Sequence, residues 1–250
     1  MLNMDAIVVY SFVFIFGLIV GSFYNVIALR TLSGEKLSFP PSHCTKCNHR
    51  LSFLDLFPVF SYVFLKGKCR YCKAKISPIY PIGELLTASS YTIIISEFGF
   101  TMDGLIQIVF ITVMIWATMT DLKSTFVPDR FVIIGLTLVL ILRIIHGVDL
   151  VSYLIASAAS FGLLLLILVL SKGKMGGADV KLYALIGLSI GLMDSVGSLF
   201  YASILGVLFQ LPLIIANKGK VDREKEIPFV PFITLGVLCT YLFDLFHFTF

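Results

Sequence analysis

Four cysteines in two pairs could bind a metal ion. Cys44 and Cys47 form one Cys-x2-Cys pair, and Cys69 and Cys72 form a second pair after 21 intervening residues. Two such pairs can supply four thiolates at tetrahedral geometry, which is typical of a closed structural Zn²⁺ site. Two disulfides or four free thiols are the alternative. The spacing favours zinc, and metal binding would stabilise a segment too small to fold easily alone.

Three other residues with metal-binding chemistry are not assigned to this site. His43 and His49 flank the first cysteine pair, but four cysteines already complete a tetrahedral set. Cys239 lies in an apolar segment and is expected to be a small core residue.

Two aspartates at the borders of apolar segments are candidate catalytic acids. Asp121 ends the apolar run 111–120, and Asp179 follows a loop that contains Gly176 and Gly177. An ionisable residue at a membrane border is costly unless it has a partner or a wet cavity. The alternatives are a helix N-cap for Asp179 and an interfacial position for Asp121. The glycines favour a site, because they allow a backbone to approach closely and a side chain to point into a cavity.

Two carboxylates brought together can share one proton. The protonated acid then polarises a scissile carbonyl, while the ionised acid activates a water molecule for attack. Because Asp179 lies 58 positions after Asp121 in the chain, only the fold can bring them together.

Two further acidic residues, Asp129 and Glu84, are weaker candidates for a functional site. Asp129 follows Pro128 and precedes an apolar segment, so an N-cap role is favoured over catalysis. Glu84 enters an apolar segment, where it could bind a ligand amine or complement the helix dipole.

The composition requires that membrane helices position these residues. Hydrophobic residues make up 58% of the chain, charged residues 14%, and the mean hydropathy is +0.98. These values exclude an ordinary soluble protein and argue against nucleic-acid binding, secretion and disorder. The first apolar segment is too long for a cleavable signal peptide and lacks a preceding basic cluster. Eight helices are predicted, near 6–29, 82–99, 104–122, 129–146, 149–171, 179–193, 195–217 and 228–249.

The basic residues predict the orientation of these helices. If the chain alternates across the bilayer with its N-terminus outside, the cytoplasmic segments are 30–81, 122–130, 172–181 and 217–227. They hold 18 of the 19 Lys and Arg residues, and Arg143 is the exception. This asymmetry satisfies the positive-inside rule. The cysteine pairs then face the reducing cytoplasm, which argues against disulfides. The basic residues of 30–81 are expected to hold that segment at the anionic lipid of the inner leaflet.

The predicted architecture is therefore an all-α polytopic membrane protein of about eight transmembrane helices. A small cytoplasmic four-cysteine zinc-binding domain is inserted between helices 1 and 2. The expected divisions are a first transmembrane helix over 1–29, the zinc-binding domain over 30–81, and a seven-helix membrane domain over 82–250 that carries the two aspartates.

Several motifs resemble those of the prepilin peptidase family, also called type IV leader peptidases, and the resemblance covers nearly the whole chain. The opening Gly-Ser-Phe-Tyr-Asn-Val at 21–26 with Arg30, the cysteine pairs, and Tyr80-Pro81 with Glu84 fit the family pattern. The stretch 121–129, from an aspartate to Pro-Asp, looks like its first catalytic motif. Gly176-Gly177-Ala178-Asp179 followed by Lys181 looks like its second, with Ala178 where the family has a glycine.

The resemblance implies an integral-membrane aspartyl protease with Asp121 and Asp179 as the catalytic pair. It implies removal of basic leader peptides from prepilins or pseudopilins at the cytoplasmic face of a bacterial inner membrane. It also implies methylation of the new N-terminal amine with S-adenosylmethionine, an activity that the cysteine domain accompanies. No glycine-rich dinucleotide-type fingerprint locates the methyl-donor site.

Two other functions fit parts of the sequence. A proton-coupled transporter would also have many helices and embedded aspartates, but such sites usually lie near the midplane and often in repeated halves. An inactive scaffold of a pilus or secretion system would fit the departure at Ala178. Solute uptake lost on Asp121→Asn would favour the transporter. Cleavage that appears only after Ala178→Gly would favour a disabled enzyme.

Overall fold

The described part of the chain is almost entirely helical. The computed structural model describes residues 4–36, 41–147, 149–172, 175–216 and 227–243. The eight long helices are α1 (Met4–Ser33), α3 (Ile79–Phe98), α4 (Met102–Ser124), α5 (Asp129–His146), α6 (Leu150–Leu170), α7 (Gly177–Ile190), α8 (Leu192–Ala216) and α9 (Val230–Leu242). A 3₁₀ turn (Phe53–Asp55) and a short helix α2 (Phe60–Phe64) lie between α1 and α3.

Each of the eight predicted helices has a counterpart, and the described part of the chain contains no extended β-strand. Four of these helices are long and apolar enough to cross a bilayer, namely α1, α4, α6 and the Leu192–Pro212 part of α8. An all-helical membrane protein is therefore confirmed, and eight crossings remain a prediction. Most of the predicted cytoplasmic segment 217–227 and the end of the last helix lie outside the described residues.

The break between α7 and α8 lies at Gly191. A continuous helix over 182–217 would measure about 54 Å, much longer than a bilayer core of about 30 Å. The sequence predicts a hairpin near Asp194, whereas the structure ends α7 at Ile190 and begins α8 at Leu192. Gly191 has a φ of 83°, a left-handed value that side-chain-bearing residues rarely adopt. The glycine therefore determines where the chain turns.

The structure divides into two compact units, Met1–Ser96 and Glu97–Phe250. In the first unit, α1 packs against α3 through small residues. A Cβ atom built on Gly17 would lie 2.6 Å from the Cα of Ala88, and one on Gly21 would lie 2.9 Å from the Cα of Glu84. Such approaches are typical of membrane helices, where small residues let two backbones come together.

In the second unit, α4 is the central helix and contacts α5, α7 and α9. The window of α4 that could span a bilayer is 67% buried inside the protein, against 17% for α6. Polar side chains that are buried along α4 need partners in an apolar interior. One such pair joins the hydroxyls of Thr118 in α4 and Thr234 in α9 at 2.7 Å.

Arg143, the basic residue outside the predicted cytoplasmic segments, is buried in this unit. Its guanidinium donates to Asp103 at 2.9 Å and to the carbonyl of Ser189, and it lies 3.7 Å from the ring centre of Tyr153. These contacts join the first turn of α4 and the last turn of α7 to α5 and α6. An arginine that pairs with several groups at once can be buried in this way. Arg143 is thus part of the bundle interior.

Candidate active site

Asp121 lies near the C-terminal end of α4 and is only 6% exposed. Its Oδ2 accepts a hydrogen bond of 3.0 Å from the backbone N–H of Val230, the first residue of α9. The Thr118–Thr234 pair lies about one turn away on the same two helices. Asp121 is therefore held between two packed helices in the interior of the unit, not at an exposed helix end.

Asp179 lies in the first turn of α7 and is 5% exposed. Gly176 occupies the N-cap position, so Asp179 is not the cap. The carboxylate instead accepts a hydrogen bond from the N–H of Gly176, a contact that acids at the third helical position commonly make. A Cβ atom on Gly176 would lie 3.1 Å from Oδ2 of Asp179, which is tighter than ordinary contact. Gly176 thus lets the backbone approach the acid.

The fold brings the two acids into electrostatic contact, since the negative charge of Asp121 acts on the Asp179 carboxyl. Both side chains are more than nine-tenths buried, and α4 packs against α7. Two buried carboxylates that repel each other hold one proton between them more readily than none.

The remaining predicted residues around Asp179 are more exposed. Lys181 donates to Oδ1 of Asp129 at 2.6 Å, and both side chains are about half exposed or more. α5 begins at Asp129 with Pro128 at the cap position, so the expected N-cap role of Asp129 is wrong. Its carboxylate pairs with Lys181 instead. A Cβ on Gly177 would meet no atom within 4 Å.

Ala178 is in the first turn of α7 and is not among the described residues with positive φ. Nothing in this backbone requires a glycine. We expect Ala178→Gly to leave leader cleavage, the activity that the resemblance implies, within about fivefold of the parent, because glycine costs at most about 1 kcal/mol in a helix. The measurement is the initial rate of cleavage beside the parent. A gain of a hundredfold or more would contradict this and show that the alanine disables the site.

The four cysteines converge as the spacing predicts. The sulfur atoms of Cys44, Cys47, Cys69 and Cys72 all lie within 4.8 Å of one another, and Cys44 Sγ is 3.8 Å from Cys72 Sγ. A disulfide requires about 2.05 Å, so this pair is not bonded. Sulfurs at about 2.3 Å from a tetrahedral metal would be separated by about 3.8 Å. The four thiols therefore fit a metal ion, and no other such cluster occurs among the described residues.

The two cysteine pairs lie in loops with the same backbone pattern. In each loop the N–H of the first cysteine donates to the carbonyl five residues later, as Cys44 does to His49 and Cys69 to Ala74. Hydrogen bonds from the N–H groups of Cys47 and Lys46 lower the pKa of the Cys44 thiol to about 6. A hydrogen bond from the N–H of Ala74 also lowers the pKa of the Cys72 thiol. Desolvation and the three neighbouring thiols outweigh this bond and raise the pKa of Cys72 to about 11. Four thiolates this close need a cation to balance their charge.

Asp55 joins the segment between the two pairs to the second pair, a role that sequence analysis missed. Its carboxylate accepts hydrogen bonds from the N–H and hydroxyl of Ser52, from Nε of Arg70 at 2.6 Å and from the hydroxyl of Tyr71. Burial opposes ionisation, but the bonds from Ser52, Arg70 and Tyr71 outweigh it and lower the pKa of Asp55 to about 2. The Ser-x-x-Asp spacing was the available signal.

We expect Asp55→Asn to lower the free energy of unfolding of the cysteine module by about 1–3 kcal/mol at pH 7, because an amide cannot accept all four bonds. The folded pKa lies below the unfolded value, so the stabilisation is present above about pH 4 and is lost as the pH falls toward 2. Protease protection of the module, measured against pH for both proteins, tests this. A difference that stays constant down to pH 2 would contradict it.

Glu84 is 7% exposed and lies in the second turn of α3. Its Oε2 accepts a hydrogen bond of 2.7 Å from the backbone N–H of Val59, the residue before α2, and Ser22 of α1 also bonds to its carboxylate. The described contacts of Glu84 are thus within its own unit, where it joins α1, α2 and α3.

The fold and these sites define a helical membrane protein with a buried pair of carboxylates and a four-cysteine cluster. Residues 15–98 match the family model described as the bacterial peptidase A24 N-terminal domain, and residues 108–211 match that of the type IV leader peptidase family. The chain belongs to the type IV leader peptidase family. The expected enzyme class, a membrane protease with methyltransferase activity, is confirmed.

Relatives match over almost the full length. The chain is 32% identical to a prepilin leader peptidase/N-methyltransferase of Bacillus subtilis, over 93% of this chain and 94% of the relative. It is 31% identical to a type 4 prepilin-like proteins leader peptide-processing enzyme of Escherichia coli, over 92% and 93%. It is 29% identical to a prepilin leader peptidase/N-methyltransferase of Aeromonas salmonicida, over 91% and 88%. No solved structure matches the chain.

Proposed function

We propose that this chain removes basic leader peptides from prepilins or pseudopilins by means of Asp121 and Asp179. The observation that carries the proposal is the burial of both carboxylates in one electrostatically linked pair. The names of the relatives, which specify prepilin processing, support the substrate class. A transporter does not account for this family membership.

The chemistry of the pair follows from its single shared proton. The ionised acid takes a proton from water as the water oxygen attacks the carbonyl carbon, and the protonated acid donates a hydrogen bond to the carbonyl oxygen. When the resulting tetrahedral species breaks its C–N bond, a proton passes to the leaving amine nitrogen. Burial excludes most other water, so the acids are not solvated by bulk solvent.

The position of the pair suits a substrate that is anchored in the bilayer. Asp121 lies near the end of α4, a candidate span, and Asp179 lies at the start of α7, which has only 14 residues. A prepilin presents a basic leader in the cytoplasm, followed by an apolar helix in the membrane. We place the N-terminus outside and both the cysteine module and the aspartates at the cytoplasmic face of the bacterial inner membrane, because the basic residues follow the positive-inside rule.

The second activity is methylation of the new N-terminal amine. When bound, S-adenosylmethionine would supply the methyl group for the amine nitrogen, which would lose a proton. The four cysteines would hold Zn²⁺, whose tetrahedral preference fits four sulfur ligands. This ion would stabilise the cysteine module without taking part in either reaction.

Purified protein in detergent, mixed with a prepilin substrate and S-adenosylmethionine, tests both activities at once. Mass spectrometry of the two products should show the leader removed and 14 Da, the mass of one methylene, added to the mature N-terminus. Intact substrate after incubation with folded, metal-loaded protein would contradict the peptidase proposal. Cleavage without added mass would contradict only the methyltransferase.

A further inference from the structure

The cysteine module exposes a cluster of large apolar side chains, called here the aromatic patch. It spans the 3₁₀ turn and α2 and consists of Phe53, Leu54, Phe57, Phe60, Val63 and Phe64. Phe64 is 81% exposed and Phe53 is 78% exposed. Four of these side chains line a groove of about 280 Å³ together with Ser61, Leu65 and Arg70, namely Leu54, Phe57, Phe60 and Phe64. An apolar surface of this kind, contiguous and rich in phenylalanine, indicates a binding surface rather than ordinary exposed residues.

Hydrogen bonds fix the position of the patch relative to α1. The N–H of Val59, which directly precedes α2, donates to Glu84 at 2.7 Å. Glu84 in turn lies against α1, where a Cβ on Gly21 would be 2.9 Å from the Cα of Glu84. The start of α2 is therefore level with Gly21 of α1, within the reach of one glutamate side chain.

Gly21 lies inside the apolar part of a membrane span. α1 is a candidate span, and its uncharged run ends at Leu29, before Arg30. Arg30 lies nine positions after Gly21 in the helix, a distance of about 13 Å along the axis. Arg30 is the first charged residue after the uncharged run, so we take it as the polar border of the bilayer. The start of α2 then lies at the depth of lipid rather than of bulk water.

We propose that the aromatic patch inserts into the bilayer, so that the acyl chains and glycerol region of phospholipid cover it. Phenylalanine and leucine side chains favour this region, and a short helix with one apolar face lies in the plane of the interface. The module is thus a monotopic membrane element between two helices. This proposal depends on the span of α1 and is independent of leader cleavage.

The charges beside the patch fit an anionic lipid surface. Lys66 and Lys68 follow α2 directly and are exposed, and Lys73 and Lys75 follow in the second cysteine loop. Basic side chains next to an inserted apolar face reach the lipid phosphates while their stems stay in the apolar zone. The positive charge and the apolar face therefore both favour an anionic lipid bilayer as the partner of the patch.

Tryptophan substitutions in the full-length protein test the proposal. Phe64→Trp and Phe53→Trp replace one exposed aromatic ring by another, and Lys46→Trp places a ring on the exposed first cysteine loop as a control. The proteins are placed in nanodiscs of phosphatidylcholine and phosphatidylglycerol, with or without brominated acyl chains. Fluorescence of the parent, whose single tryptophan is Trp116, is subtracted.

We expect brominated lipid to quench the tryptophans at 53 and 64 at least twofold more than the tryptophan at 46. Aqueous iodide should show the opposite order. If iodide quenches all three equally and bromine quenches none, the patch is in water and the proposal is wrong. If iodide quenching at 53 and 64 disappears only when a prepilin is added, the patch binds protein, which also overturns the proposal.

Discussion

Asp179→Asn is expected to reduce the rate of leader cleavage by at least about a thousandfold. The amide keeps the size of the carboxyl and can still accept a bond from the Gly176 N–H, but it cannot transfer a proton. Loss of a general acid or base lowers the rate of an enzymatic reaction by a factor on the order of 10²–10⁴. Loss of the group that activates the attacking water lowers the rate further. Asp121→Asn should have an effect of the same size, since each acid depends on the other.

The measurement is the cleavage rate of a prepilin substrate by purified protein. Asp129→Asn is the matched control, because the same substitution is made at an exposed aspartate whose described partner is Lys181. It should retain at least about a tenth of the parent rate, as an exposed ion pair contributes less than about 1 kcal/mol. Full activity of both Asp121→Asn and Asp179→Asn would remove the dyad from the mechanism.

The same variants separate the two activities. A mature pilin with a free N-terminus needs no cleavage, so Asp179→Asn should still methylate it at the parent rate. The measured quantity is the methyl mass on the supplied peptide. Parallel loss of methylation would show that the aspartates serve both reactions or that the variant is misfolded, and the melting temperature distinguishes these two cases.

Cys44→Ser is expected to unfold the cysteine module. Structural zinc sites contribute about 10–16 kcal/mol of binding free energy, far more than a small module has from its own core. Cleavage of residues 41–77 by added protease should accelerate more than about a hundredfold, and bound zinc should fall from one per chain to none. Methylation should fall with it, whereas leader cleavage should fall less, because Asp121 and Asp179 belong to the other compact unit.

Cys239→Ser is the control for the loss of a thiol. Cys239 lies in α9 and is not part of the four-sulfur cluster, so this variant should keep zinc and the protease resistance of the module. Metal analysis that finds iron in the parent would change the identity of the ion and leave the structural role intact. Metal-free parent protein with a protease-resistant module would contradict the prediction.

The amino-acid sequence alone was enough to predict which residues can do chemistry and which segments are helical. An apolar run of about 20 residues forms a helix in lipid, because every backbone N–H and C=O must be hydrogen-bonded within the segment. The cysteine spacing was equally informative, since a Cys-x2-Cys loop is local and two of them suit one tetrahedral ion. For these reasons the eight helices and the four-sulfur cluster could be predicted.

Features that depend on contacts between residues far apart in the chain could not be predicted from the sequence. The pairing of Asp121 with Asp179 requires α4 to pack on α7, and the bond from Val230 to Asp121 spans 109 residues. The role of Asp55 depends on Arg70 and Tyr71, and the proposed depth of α2 depends on Glu84 and Gly21. Helical periodicity shows that a segment is helical, but side-chain packing selects its neighbours. The catalytic candidates Asp121 and Asp179 could therefore be predicted from the sequence, whereas their electrostatic interaction depends on the packing of α4 and α7.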